Sequence, residues 1–297
     1  MTYLQKLRNS AEQTKSVVCM GLDPVVEAMP ERYAVAGIKG VPAYFHELFR
    51  EMLSQKVFPA AFKPNEGFYV VHDNPRRGEF FGSITLATVI GEIERLFPGI
   101  PIILDSKRAD IAKSSLNYAK HIFEKWDVDA TTISPYMGSD SVFPFTQFCN
   151  FEKGVYILNR TSNSGAADIQ DAAGPGSMQC LYSHVVAPKI AEWAAQMSGV
   201  GAVVGATSLP ELEDLARFYA EKDVPLLIPG VGGQGGKADE VANVLRNSGY
   251  DLRLARINSS SDLTHPWHKH RQPAPADYAR VCVDNLREMH EQIGLKR

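Results

Sequence analysis

Short apolar runs recur along the chain, each followed by a stretch of helical periodicity, and this alternation restricts the fold more than any other feature of the sequence. Apolar runs too short for helices, separated by amphipathic segments of helical length, are the pattern of parallel strands joined by helical crossovers. Strands are predicted at Val17–Leu22, Ala60–Lys63, Ile102–Asp105, Ala130–Ser134, Val155–Leu158, Ala202–Gly205, Leu226–Pro229 and Leu252–Ile257. Helices are predicted at Tyr44–Gln55, Ile84–Phe97, Ser115–Lys125, Ser141–Phe148, Tyr182–Met197, Pro210–Glu221, Ala238–Ser248 and Ala276–Gln292. The sixth helix starts with usable signals: Thr207 or Ser208 as the cap, Pro210 in the first turn, and Glu211 at the positive end.

Eight such units suit a closed (β/α)₈ TIM barrel, and the structural rival is a doubly wound open sheet. The polar residues decide between them. They collect just past the strand carboxyl ends, at Asp23, Lys63, Asp105 with Lys107, Ser162, Gln234 and Asn258. An open sheet gathers such residues at one crevice, whereas contributions from nearly every strand describe a ring. The chain is therefore read as one α/β barrel domain spanning 1–297. Its surplus of about 50 residues over the usual barrel is expected in extended loops after strands 1, 2, 5 and 8, the last two around Gly165–Met178 and His265–Pro275.

Hydrophobic residues at 44% and charged residues at 22% supply such a core and do not resemble a disordered chain. Lys and Arg number 31 against 34 Asp and Glu, a formal charge of −3, so no global basic field favours nucleic acid. Cys19, Cys149, Cys180 and Cys282 lie far apart with no C-x-x-C pair. That spacing argues against a disulfide framework or a zinc ribbon and fits reduced thiols. Residues 1–15 are polar, and no run reaches the roughly 18 apolar residues of a membrane span. The expectation is a cytoplasmic protein with neither a nucleic-acid nor a membrane partner.

The run Ile102-Ile-Leu-Asp105-Ser-Lys107-Arg-Ala-Asp110-Ile111 carries the chemistry. Three apolar residues make a buried strand, and Asp105 and Lys107, two apart, project from one face at its end. Asp110 follows where the chain turns into the next helix. Two carboxylates with a lysine between them keep that lysine protonated, which suits a reaction that builds negative charge on carbon and then protonates it. Taken alone, the D-x-K-x-x-D pattern is equally a solvated salt-bridge cluster. Its neighbours favour chemistry: Lys63 in Phe62-Lys-Pro-Asn65 ends the second strand, and Asp23 in Gly21-Leu-Asp-Pro24 ends the first. Three consecutive strands thus deliver alternating charges to one rim.

Together with these pieces, Leu104-Asp-Ser-Lys-Arg-Ala-Asp-Ile111, Ser134-Pro-Tyr-Met-Gly-Ser-Asp140, Arg160-Thr-Ser-Asn163 and Pro229-Gly-Val-Gly-Gly-Gln-Gly-Gly236 occur in order at the predicted strand ends. In this set, and through nearly all of its length, the chain resembles the orotidine 5′-monophosphate decarboxylase family, in its larger bacterial branch. The resemblance implies conversion of orotidine 5′-monophosphate to UMP and CO₂, the last step of UMP synthesis, without metal or cofactor. It implies a catalytic set of Lys63, Asp105, Lys107 and Asp110, with Asp110 reaching into the neighbouring site of a homodimer. Asp105 would lie beside the substrate carboxylate, and Lys107 would stabilise the carbanion at C6 and protonate it. Asp23 and Lys63 would hold the ribose hydroxyls. Ser162 would read the pyrimidine edge, and Ser114 stands where the family has a threonine contacting ribose from the partner chain. Each of these could otherwise be a cap or turn residue.

The segment Gly230–Gly236 also spells G-x-G-x-x-G, the dinucleotide fingerprint, but it follows the seventh strand instead of opening a first βαβ unit. The next suitably spaced acid, Asp251, would sit at the wrong end of the eighth strand. A glycine loop in this place is expected to cradle phosphate with backbone N–H groups, at Gly235 and Gly236, with Gln234 leaning over it. One departure stands out. Where the family has a phosphate-gripping arginine after the eighth strand, this chain has Ser261, in the run Ile257-Asn-Ser-Ser-Ser261-Asp262. Serine cannot replace a bidentate guanidinium, so Lys269 or Arg271, with His268 nearby, is expected to supply the charge. His265, His268 and His270 lack the supporting carboxylates or cysteines of a metal site, and Trp267 is read as loop packing. Two rivals remain: an Mg²⁺-dependent sugar-phosphate lyase or decarboxylase of the same barrel superfamily, and a non-catalytic nucleotide-phosphate-binding protein.

Overall fold

The computed structural model describes residues 1–173, 180–232 and 235–295. Eight parallel strands are present: β1 (Val18–Leu22), β2 (Ala61–Pro64), β3 (Ile103–Arg108), β4 (Ala130–Ile133), β5 (Gly154–Arg160), β6 (Val200–Val204), β7 (Leu226–Ile228) and β8 (Ala255–Ser259). Their order is β2-β1-β8-β7-β6-β5-β4-β3. The two ends of that sheet meet through bridges Phe62↔Ile102 and Asn65↔Asp105, so the sheet closes into a barrel. Strands buried on both faces need no polar alternation, which is why they read as continuous apolar runs. In β1, β6 and β8 every residue is buried.

All eight crossover helices form where the periodicity placed them, with shifted ends. The third is α-helical over Ala112–Lys120 and continues as a π turn to Lys125, and the fifth opens with a π turn over Tyr182–Val186. Ser208 occupies the cap of the helix Leu209–Ala220, but its side chain accepts no backbone hydrogen bond. Glu211 is instead committed to Arg160, whose Nε lies 2.8 Å from Oε2. The eighth strand begins three residues later than predicted. The Asp251 side chain accepts from the Arg253 N–H and starts a 3-10 turn over Leu252–Leu254, a local bond that competes with strand pairing.

A helix over Tyr3–Thr14, not anticipated from the sequence, covers the amino-terminal mouth of the barrel. Thr2 and Gln5 form a capping box at its start. Tyr3 and Leu7 are fully buried; the Tyr3 hydroxyl lies 3.2 Å from that of Tyr156 on β5, and Arg256 of β8 donates to the Leu7 carbonyl at 2.8 Å. With that end filled, the opposite, carboxyl-terminal mouth is where a ligand can enter.

Candidate active site

The carboxyl ends of the strands surround a cavity of about 1230 Å³. Asp23, Lys63, Asp105, Lys107, Ser162 and Asn258 all line it, as the ring of polar residues predicted. Close approaches between loops depend on two glycines here. A Cβ at Gly21 would collide with the Ser260 side chain, so Gly21 lets the loop after β8 lie across β1. A Cβ at Gly205 would sit 3.0 Å from Ser162, which fixes how closely β6 supports that residue.

At the centre, the Asp105 carboxylate is held between two ammonium groups. Lys63 Nζ lies 2.8 Å from Oδ2 and Lys107 Nζ 2.6 Å from Oδ1. Thr132 of β4 donates its hydroxyl to Oδ1 at 2.8 Å. Lys63 and Asp105 are buried, whereas the Lys107 side chain is half exposed to the cavity. Burial by itself would lower the Lys63 ammonium, but the charges of Asp105 and Asp23 outweigh it and hold Lys63 above its ordinary value. Burial likewise pushes the Asp105 carboxyl up, and Lys63 and Lys107 overcome that, leaving it well below the usual carboxylate range. Lys63 and Asp105 therefore stay charged at neutral pH.

Lys107 reaches this position through an irregular backbone. The β3–β4 register slips between Leu104 and Arg108, and Lys107 takes a left-handed φ of 46°. Such bulges re-aim a side chain. Next to it Arg108 pairs with the buried Glu66 at 2.7 Å.

Three buried acceptors along the cavity lack a hydrogen-bond partner among the described residues: Asp23 Oδ1, Asn159 Oδ1 and Asn258 Oδ1. Buried oxygens of this kind are normally satisfied, so they mark where hydroxyl or N–H donors of a ligand would fit. Asn159 and Thr132 are cavity residues that sequence reasoning missed, and His265, weighed there only as a metal ligand, lines the cavity as well. His265 is buried with Nδ1 2.8 Å from the Thr264 hydroxyl, and burial, with His268 nearby, lowers its imidazole to about 4.

Asp110 and Ser114 are not brought into this chain's own cavity. The Asp110 Oδ1 accepts from the Ile111 N–H at 2.7 Å, and Ser114 is exposed on its helix. Among the described residues Lys107 is thus paired with Asp105 alone, and the expected position between two carboxylates does not form within one chain. The glycine loop also differs from expectation. Gly230 and Val231 line the cavity, but the Gly235 N–H donates to the Gly232 carbonyl and the Gly236 N–H to Gly230. The tight turn, with positive φ at Gly230, Gly232 and Gly235, uses these N–H groups internally, so neither is a free donor. Gln234 lies outside the described residues. Neither Lys269 nor Arg271 lines the cavity. Lys269 pairs with Asp262 at 2.9 Å, and a Cβ on Gly232 would collide with the Asp262 carboxylate, so this ion pair adjoins the glycine loop. Trp267 packs as anticipated, buried and donating its Nε1–H to the Ala28 carbonyl at 2.6 Å.

Among the described residues no cluster of three or more His, Cys, Asp or Glu is placed to hold a metal ion, and no helix is long and apolar enough to cross a membrane.

Residues 76–253 match the family model for the orotidine 5′-phosphate decarboxylase / HUMPS family. The orotidine 5′-phosphate decarboxylase of Delftia acidovorans is 36% identical over 265 residues, covering 88% of this chain and 88% of that protein. That of Halobacterium salinarum is 37% identical over 245 residues, covering 80% and 81%. Among solved structures, Leishmania donovani OMP decarboxylase matches with a TM-score of 0.68 at 28% identity, covering 98% of this chain and 99% of that one.

Proposed function

This chain belongs to the orotidine 5′-phosphate decarboxylase / HUMPS family, and on that premise we propose that it decarboxylates orotidine 5′-monophosphate to UMP in pyrimidine synthesis. The observation that carries the reading is the Asp105 carboxylate fixed between Lys63 and Lys107 at the barrel mouth. A substrate carboxylate placed beside Asp105 is repelled until it leaves as CO₂. The C6–carboxylate bond breaks with its electron pair remaining on C6. The Lys107 ammonium stabilises that charge, transfers a proton to C6, and is reprotonated from solvent. Asp23 and Lys63 hold the ribose hydroxyls, and Ser162 reads the base.

The Mg²⁺-dependent sugar-phosphate reading is disfavoured by the same geometry, because both Asp105 oxygens are occupied by ammonium groups. A purified sample given orotidine 5′-monophosphate in EDTA should lose the substrate absorbance at the full rate. No turnover, or turnover restored only by Mg²⁺, overturns the assignment.

The enzyme acts in the cytoplasm as a homodimer in which Asp110 and Ser114 complete the partner's site. The support is that neither enters its own cavity: Ser114 is exposed, and Asp110 is half-buried next to the exposed side chain of Ile111. Lys269 takes the place of the missing arginine at the phosphate end. It neutralises Asp262 against the glycine loop, so its removal would leave an unpaired carboxylate beside that loop. Lys269→Ala should raise KM about 10- to 100-fold, the cost of leaving a charged group without its hydrogen-bond partner, with a smaller change in kcat, while Arg271→Ala leaves KM unchanged. Steady-state kinetics of the two variants check this, and the reverse ranking would assign the role to Arg271.

A further inference from the structure

We propose that Thr132 is a positioning residue for this reaction, and that its single hydroxyl holds both the Asp105 carboxylate and the Lys107 backbone in their working geometry. The proposal rests on the decarboxylase reading above.

Thr132 lies on β4 and is 1% exposed. Its Oγ1 is 3.1 Å from the Ser106 N and 3.0 Å from the Lys107 N, and 2.8 Å from Asp105 Oδ1. The two backbone groups can only donate, so the oxygen must accept from both. Its one proton is then committed to the ionised carboxylate, which can only accept. A hydroxyl that donates once and accepts twice has no capacity left, and its orientation is fully determined.

The position of this hydroxyl explains how the bulge in β3 persists. Where the register slips between Leu104 and Arg108, regular ladder bonds cannot serve the N–H groups of Ser106 and Lys107. Thr132 supplies the acceptor that the neighbouring strand's backbone does not. Without it, two backbone donors at the bulge would lose their acceptor and Lys107, a non-glycine residue at φ 46°, would relax toward extended geometry. The oxygen of Asp105 that receives the Thr132 proton is the same one that pairs with Lys107 Nζ. Backbone and side chain of the proposed proton donor are thus referred to one point. Adjacent Thr131 bonds the Leu104 carbonyl at 2.8 Å and the Ser106 hydroxyl at 2.9 Å, which secures the residues leading into the bulge but touches neither charged group.

Thr132→Val keeps the shape and removes all three bonds. Displacement of a proton donor by about 1 Å costs on the order of 100-fold in rate. We expect kcat to fall about 10- to 100-fold with KM within about threefold, because the residues assigned to ribose and phosphate are untouched. Thr132→Ala should behave alike, and Thr132→Ser should recover kcat to within about threefold of the wild type. Hydrogen–deuterium exchange of the peptide spanning 104–108 should speed up in the Val and Ala variants and not in the Ser variant. Wild-type protein that releases no CO₂ would overturn the decarboxylase reading, and the exchange measurement would still judge the geometry. Given an active wild type, a folded Val or Ala variant with unchanged kcat overturns the positioning role. So does a Ser variant more than tenfold slower than wild type, a result that can be read even if neither other variant folds.

Discussion

Lys107→Ala should lower kcat for orotidine 5′-monophosphate by about 10⁴-fold or more while leaving the fold intact. Two contributions disappear together: proton delivery to C6, typically about 10²–10⁴-fold, and stabilisation of the developing charge by a fixed cation, of similar size. The structure separates this loss from unfolding. The Lys107 side chain is half exposed and, among the described residues, makes one ion pair, so its removal costs little stability and Tm should stay within about 2 °C. Lys107→Arg should not rescue, since a guanidinium gives up its proton far less readily and its planar fork does not fit the place of a compact ammonium. Single-turnover absorbance measurements and a thermal melt on the same preparation test both halves. A loss smaller than tenfold would mean that solvent or another group protonates C6.

The parts of this molecule that could be read from the chain are those set by local chemistry. Eight apolar runs became eight strands because both faces of a parallel barrel strand are buried, leaving no polar interruption to blur the pattern. Leu252 and Leu254 misled for the same reason: apolar side chains bury equally well in a 3-10 turn, and the Asp251 side chain decided the matter. The amino-terminal helix is hard to read from the sequence because residues 1–15 are mostly polar. Its Thr2…Gln5 capping box and the helical spacing of Tyr3, Leu7 and Ala11 were nevertheless present. At the site, Asp105 and Lys107 were visible from their spacing and their place after a strand. Thr132 and Asn159 were not, since a threonine or asparagine within an apolar run looks like strand material. The partners that give them meaning are supplied by neighbouring strands and by Tyr219, 60 residues along the chain from Asn159.

Asp105→Asn should abolish activity and also destabilise the fold, with a pH dependence that identifies the cause. Lys63 is buried, and the Asp105 carboxylate is the ion-pair partner that makes its charge tolerable there. Removing one member of a buried pair costs about 3–5 kcal/mol, which for a chain of this size lowers Tm by about 10 °C. In the wild type the Asp105 carboxyl is held below its ordinary value, so its stabilisation is complete above the unfolded-state value of about 4 and is lost only as pH falls through the lower folded value. Lys63 is held above its ordinary value, so its stabilisation is complete below about pH 10 and is lost only at still higher pH. Wild-type stability from this pair is therefore flat between pH 7 and 10. In the Asn variant burial dominates Lys63 and draws it downward, and a lysine with a depressed folded value gains stability as pH rises toward the unfolded one. The gap in Tm between the two proteins should accordingly narrow from pH 7 to pH 10. A gap that stays constant or widens over that range would show that Asp105 is not what keeps Lys63 charged.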